Sequence, residues 1–215
     1  MKSIIIIPLY NEEKTIQKVI KDIKSLNIKT DILVVNDKSN DNSLEQIESY
    51  KNIKIINNSQ NIGYEKSLEK GLQQAYKLKY KFIITLDADG EHNTSDIPNI
   101  LDLLSKENSM VTTNRSQKNR ISEYILGLFF NLLFSIRDPL SGFKGYNLEI
   151  LNKNNIQLKF NGVGTYILVK VIQSNLKISS INTKTCVRED NSRYGSGFLI
   201  ELKLIISVLK QFFTK

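Results

Sequence analysis

Cysteine, proline and tryptophan are nearly missing from this 215-residue chain, which has one Cys, three Pro and no Trp. The lone Cys186 excludes an internal disulfide and a cysteine-cluster metal site, fits a reducing compartment, and reads as a small buried hydrophobe. Low-complexity tracts and internal repeats are absent, which argues against disorder and solenoid architectures. No apolar run reaches the roughly 18 residues that a membrane-spanning helix needs. The stretch from Tyr124 to Ile136 comes nearest and is interrupted by Asn131. The run from Ile4 to Ile7 is too short for the core of a secretory signal peptide and stops at Pro8, so a cytoplasmic protein is expected.

What is present is a composition that supports a core. Hydrophobic residues make up 40%, enough for one domain over residues 1–215. Thirty Lys and Arg against 22 Asp and Glu leave a net charge of +8, which favours an anionic partner: nucleic acid, an anionic membrane or a phosphorylated small molecule.

Four short runs, Ile4 to Ile7, Ile32 to Val35, Ile53 to Ile56 and Phe82 to Leu86, are nearly all apolar, as strands covered on both faces must be. Between them lie helical patterns. The first carries Ile16, Val19, Ile20, Ile23 and Leu26, with Asn11 as expected N-cap and Glu12 and Glu13 in its first turn. The second spans about Ser43 to Tyr50 and the third Tyr64 to Lys79. Strand–helix–strand in succession implies parallel strands and right-handed crossovers. Beyond them the pattern predicts a helix from Ser95 to Lys106, a strand from Met110 to Thr113, a polar loop to Arg120 and the apolar stretch 121–136. There follow a strand ending at Tyr146, a helix over Thr165 to Ser174, a strand over Ile178 to Val187 and a terminal helix from Phe198.

Ligands of such sheets bind where the strands' carboxyl ends and their loops gather. The four loops here are polar and acidic. The fourth, Leu86-Asp87-Ala88-Asp89-Gly90-Glu91-His92, sets three acids two residues apart directly behind an apolar strand. A turn at Gly90 lets Asp87, Asp89 and Glu91 approach one point. Like charges that close call for a cation, and oxygen-only ligands suit Mg²⁺ or Mn²⁺, which take their remaining ligands from substrate phosphates. The expected ligand therefore bears a diphosphate. His92 is expected beside these ligands or exposed, rather than on the metal.

Six blocks carry a family resemblance: IIIIPLYNEE (4–13), LVVNDKSNDNS (33–43), NIGYEKSLEKGL (61–72), LDADGEH (86–92), TNR (113–115) and DPLSGFKGY (138–146). In this order they resemble glycosyltransferase family 2, nearest its dolichyl- or polyprenyl-phosphate mannosyltransferase-like branch. The resemblance implies an α/β protein of the glycosyltransferase-A fold, with a mostly parallel central sheet flanked by helices and a Rossmann-like nucleotide-binding half. It divides the chain into a nucleotide-sugar-binding half (1–115) and an acceptor-binding half with amphipathic helices (116–215). By this similarity Pro8, Tyr10, Glu12 and Asp37 hold the nucleoside, and Asp87, Asp89 and Glu91 bind a Mg²⁺ or Mn²⁺ bridging the diphosphate. Arg115 and Arg120 steady phosphates, and Arg193 with Ser196 belongs to a loop that closes over the site. Asn36 and Lys38 depart from the family's usual Asp and Gly, and Glu91 stands where Gln is frequent.

The implied reaction is an inverting transfer of a sugar from a nucleotide-diphosphate sugar, with Asp89, Asp138 and Arg115 as the catalytic group. A lipid phosphate of the polyprenyl type needs no general base, whereas a hydroxyl of a growing glycan would need Asp138 to take its proton. The stretch 124–136 reads either as a core helix or as an interfacial helix. Flanked by Arg115, Lys118, Arg120 and Arg137, the latter would rest on the inner face of an anionic membrane. The rivals are weaker. No Gly-rich phosphate loop marks a nucleotidyltransferase, no G-x-G-x-x-G marks a dehydrogenase, and no nucleic-acid-binding motif accompanies the charge. A non-catalytic nucleotide-sugar-binding module would be expected to lack a metal-binding acid.

Overall fold

A computed structural model describes residues 2–118, 120–159, 164–186 and 198–213. Among the described residues seven strands form one sheet: β1 (Ser3–Leu9), β2 (Asp31–Asn36), β3 (Ile53–Asn57), β4 (Phe82–Thr85), β5 (Met110–Arg115), β6 (Lys144–Asn147) and β7 (Ile178–Thr183). Their spatial order is β3-β2-β1-β4-β6-β5-β7. Strand β6 runs antiparallel to both β4 and β5, while the other described pairings are parallel. The mostly parallel sheet expected from the sequence is therefore present.

The helices are α1 (Ile16–Ser25), α2 (Glu45–Glu48), α3 (Tyr64–Lys77), α4 (Ile97–Ser105), α5 (Ile121–Phe134), α6 (Leu148–Lys153), α7 (Thr165–Gln173) and α8 (Phe198–Phe213). Side chains of a strand alternate between its two faces, so β1 feeds two cores. Ile4 and Ile6 pack with Leu68 and Leu72 of α3, Phe130 of α5, Leu168 of α7 and Val208 of α8. Ile5, Ile7 and Leu9 pack with Ile16 and Ile20 of α1, Ile47 of α2 and Ile100 of α4. Two apolar layers on one sheet explain why β1 is buried along its whole length. Helix α3 comes close because Gly71 faces the sheet: a Cβ there would lie 2.5 Å from Ile6 Cγ2.

Several boundaries differ from the sequence reading. Asn11 does not cap α1, which is preceded by Thr15. Asn11 takes a left-handed turn (φ 53°), and the donors that a cap would satisfy go to the next loop: Glu12 N–H to Ser43 Oγ (2.6 Å) and Glu13 N–H to Asp41 Oδ2 (3.1 Å). Strand β5 continues to Arg115 because β7 pairs with it through Arg115↔Thr183. Helix α6 was not foreseen; it has six residues, too few to show a period, and Asn147 caps it by accepting from Ile150 N–H (3.3 Å). Cys186 is exposed rather than buried, since β7 ends at Thr183, and its N–H donates to Glu91 O (2.9 Å).

Lys144 opens β6 fully buried, its Nζ donating to Pro139 O (2.8 Å). Burial lowers its pKa to about 7, with Arg115 adding to the fall and Asp138 and Asp87 opposing it. Between about pH 7 and the ordinary lysine value of 10.5 the unfolded chain holds this proton and the folded chain does not. Lys144 therefore makes stability rise with pH across that window, and below it the destabilisation is fully present. Denaturant unfolding of Lys144→Met from pH 6 to 10 is expected to show a flatter stability profile than wild type; an unchanged slope would contradict a neutral buried lysine.

Candidate active site at the carboxyl ends of the central strands

The loops after β1, β2, β3 and β4 are joined by hydrogen bonds into one floor. Asp37 N–H donates to Leu9 O (2.8 Å). The buried Asp37 carboxylate accepts from Asn58 Nδ2 (2.9 Å), Ile62 N–H (2.8 Å) and Gly63 N–H (2.8 Å). Those three bonds use most of its lone pairs, so Asp37 shapes the β3–α3 loop whatever else it touches. Thr15 Oγ1 sits between the first and fourth loops, 2.8 Å from Ala88 O and 3.1 Å from Glu12 Oε2. Pro8 is buried within β1 opposite Val35, and Tyr10 is half-buried just beyond the strand.

The acidic loop folds inward. Gly90 takes φ +75°, a conformation that glycine adopts without strain, and Glu91 N–H returns to Asp89 Oδ1 (3.0 Å). Asp87 Oδ1 accepts from Tyr64 OH (2.6 Å), and Asp87 Oδ2 lies 2.9 Å from His92 Nε2. Burial would raise the Asp87 pKa, but the His92 and Tyr64 hydrogen bonds and the Arg115 charge hold it below the usual carboxylate value. Glu91 moves the other way: burial, with Asp89 and Asp87 nearby, outweighs Arg115 and His92 and raises its pKa.

The antiparallel insertion of β6 brings a second segment to this loop. Lys144 pairs with Thr85, so the residues before β6 run back alongside those after β4. Thr85 Oγ1 donates to Gly142 O (2.7 Å) and Thr113 Oγ1 to Phe143 O (2.8 Å), fixing the segment from both neighbouring strands. Gly142 then lies so near Asp87 that a Cβ would stand 2.4 Å from Oδ2. Behind it Arg115, at the end of β5, reaches three carboxylates. Its Nε meets Asp138 Oδ2 at 2.8 Å, its Nη2 meets Glu123 Oε1 at 2.9 Å, and its Nη1 lies 3.5 Å from Glu91 Oε1. Asp138 is fully buried and also accepts the Arg115 backbone N–H (3.3 Å). Arg115, only 8% exposed, is thus committed to carboxylates in this structure.

Among the described residues, no three His, Cys, Asp or Glu side chains enclose a metal site by themselves. Asp87 and Asp89 nonetheless fit a Mg²⁺ or Mn²⁺ that draws its other ligands from a diphosphate, which needs only one or two protein carboxylates. The bonds from Tyr64 and His92 leave Asp87 about two of its four lone-pair positions. Glu91, the third expected ligand, lies 3.5 Å from Arg115 Nη1. Arg120, on the N-terminal side of α5, lies 3.4 Å from Glu201 of α8. Arg193 and Ser196 lie outside the described residues.

Sequence reasoning missed Tyr64, Glu123, Gly142 and Lys144. Glu123 accepts the Arg120 N–H (3.2 Å) with the spacing of a capping box, but Arg120 stands where that signature has Ser or Thr, so the sequence did not announce it. Tyr64 and Gly142 had no signal beyond their motifs, because their importance lies in a contact between distant segments.

Comparison with known proteins agrees with this architecture. A protein of Methanocaldococcus jannaschii without an assigned function is 31% identical over 97% of this chain and 96% of its own. The UDP-N-acetylglucosamine–dolichyl-phosphate N-acetylglucosaminyltransferase of Methanococcus voltae is 27% identical, covering 95% of this chain and 94% of its own. The glucosyl-3-phosphoglycerate synthase of Mycobacterium tuberculosis, crystallised with Mn²⁺ and UDP, superposes with a TM-score of 0.74 at 17% identity, over 98% of this chain and 78% of that one. That likeness shows the glycosyltransferase-A fold. The profile of Glycosyl transferase family 2 matches residues 4–161. With that match, the six motifs in order and the fold that gathers their residues on one sheet edge, the chain belongs to glycosyl transferase family 2 and is a glycosyltransferase.

Proposed function

We propose that this enzyme transfers a sugar, with inversion, from a nucleotide-diphosphate sugar to a polyprenyl-type lipid phosphate at a membrane surface. Residues 1–115 bind the donor and residues 116–215 the acceptor. The observation that carries this choice of acceptor is the state of Asp138: it is fully buried and hydrogen-bonded to Arg115 through both oxygens. With both oxygens taken by Arg115 and no part of the side chain exposed, Asp138 is placed to hold that arginine rather than to meet an acceptor hydroxyl, and an ionised phosphate nucleophile requires no general base. The dolichyl-phosphate acceptor in the name of the Methanococcus voltae relative supports the same choice.

The chain's residues divide the work. Pro8, Tyr10, Glu12 and Asp37 form the nucleoside end of the floor. Asp87 and Asp89 hold a Mg²⁺ or Mn²⁺, which when bound neutralises charge on the departing diphosphate. Arg115 keeps Asp138, Glu123 and Glu91 together, so the acceptor side of the site is fixed before substrate arrives. Arg120, Arg193 and Ser196 are assigned to phosphate contacts.

Membrane contact is supported by α5 and α8, although no helix among the described residues is long and apolar enough to cross a membrane. Helix α5 buries Leu126, Gly127 and Phe130 and exposes Ile121, Tyr124, Ile125, Leu128, Leu132 and Leu133, so it is both a core helix and an apolar outer face. Helix α8 continues that face with Leu199, Leu202 and Ile206. Glu201 joins the two by accepting Ser122 N–H (2.9 Å). Exposed Arg137 follows α5, and Lys203 and Lys210 stand beside the α8 stripe, a charge pattern suited to anionic headgroups. In this reading the enzyme works at the cytoplasmic face of the membrane.

The direct test is transfer of radiolabelled sugar from nucleotide donors to polyprenyl phosphate in the presence of Mn²⁺. Asp138→Asn, assayed where it remains folded, is expected to keep kcat within about tenfold of wild type; a fall of about 10²- to 10⁴-fold would identify a general base and a hydroxyl acceptor. In vesicle flotation, Leu128→Glu with Leu132→Glu is expected to abolish binding to anionic vesicles while leaving the fold intact. Flotation equal to wild type would overturn the membrane assignment.

A further inference from the structure

We infer that Tyr64 and His92 are positioning residues that clamp the two oxygens of Asp87, presetting the first acid of the D-x-D motif for its metal. This rests on the metal and diphosphate reading of the same site and adds two residues to it. Each oxygen of Asp87 has its own partner: Tyr64 OH reaches Oδ1 (2.6 Å) and His92 Nε2 reaches Oδ2 (2.9 Å). The partners come from different elements. Tyr64 is the first residue of α3, and His92 closes the acidic loop.

Both partners are themselves held. The His92 ring lies 5.3 Å from the Phe143 ring, and its backbone forms an isolated bridge with Thr185. Because a carboxylate accepts only, His92 Nε2 must carry the hydrogen of this contact. Nδ1 is buried with no hydrogen-bond partner, so the imidazole is oriented by Asp87 and by packing rather than by a second polar contact. Gly142 closes the remaining side, where a Cβ would lie 2.4 Å from Asp87 Oδ2 and 2.8 Å from Tyr64 OH. An aspartate so enclosed has little rotamer freedom left to lose when a cation binds, and its remaining lone pairs point in fixed directions. The hydroxyl of Tyr64 and the Nε2 hydrogen of His92 are the two groups that accomplish this.

The test measures Mn²⁺ affinity by electron paramagnetic resonance of the free ion, with saturating UDP or GDP, in wild type, Tyr64→Phe, His92→Phe and His92→Gln. Gln can return an amide N–H to the place of Nε2, whereas Phe keeps only the ring. Removing either donor is expected to weaken Mn²⁺ binding by about 10- to 100-fold, the usual effect of losing a hydrogen bond to a metal ligand, with His92→Gln within about threefold of wild type. Mn²⁺ affinities of Tyr64→Phe and His92→Phe that match wild type would overturn the clamp while leaving the metal reading intact. Wild-type protein that fails to bind Mn²⁺ with either nucleotide would overturn both. Melting temperatures identify any variant that has lost its fold, and Tyr64→Phe, which removes one hydroxyl, carries the test if His92→Phe does not fold.

Discussion

Crowding of negative charge at the carboxyl edge of the sheet is the constraint from which the rest of the molecule follows. Asp89, Glu91, Glu123 and Asp138 are all buried there, with Asp87 beside them. Buried charges of one sign repel strongly unless each is paired and hydrogen-bonded. The protein compensates with one guanidinium, Arg115, shared by three of the acids, and with His92 and Tyr64 on a fourth. Removing Arg115 would leave several uncompensated carboxylates, and losing one partner of a single buried pair already costs about 3–5 kcal/mol.

The topology makes that compensation possible. A purely parallel sheet would leave the segment carrying Asp138 and Gly142 far from Asp87. Strand β6, reversed between β4 and β5, returns it to the strand ends, with Thr85 and Thr113 as its anchors. The acidic loop after β4 and the segment before β6 thus meet at the ends of β4, β6 and β5. The same β6 buries Lys144, whose charge would add to the compensation but whose desolvation lowers its pKa to about 7.

The strands of the first half and the helices α1, α3 and α5 were legible because each carries an apolar run or a 3.6-residue period, which are local properties. The glycine turn at Gly90 was legible for the same reason. Asn11 failed as a cap because its loop is satisfied by Ser43 and Asp41, partners some thirty residues away in sequence. The outward face of α5 was half legible: the sequence set a core helix against an interfacial one, and the helix buries one apolar face while exposing another. The ties from Tyr64 to Asp87 and from Arg115 to Glu123, Asp138 and Glu91 join segments that only the fold brings together. No local pattern announces them.

A shared ligand, a divalent cation with a diphosphate, is what the account requires of the acids behind β4. Isothermal titration of UDP and GDP into the protein, with Mn²⁺ and with chelator, measures this directly in wild type and in Asp89→Asn. The account predicts nucleotide binding by wild type that appears only with Mn²⁺ and is lost in Asp89→Asn. Equal affinity with and without the metal, or full affinity in Asp89→Asn, would contradict it.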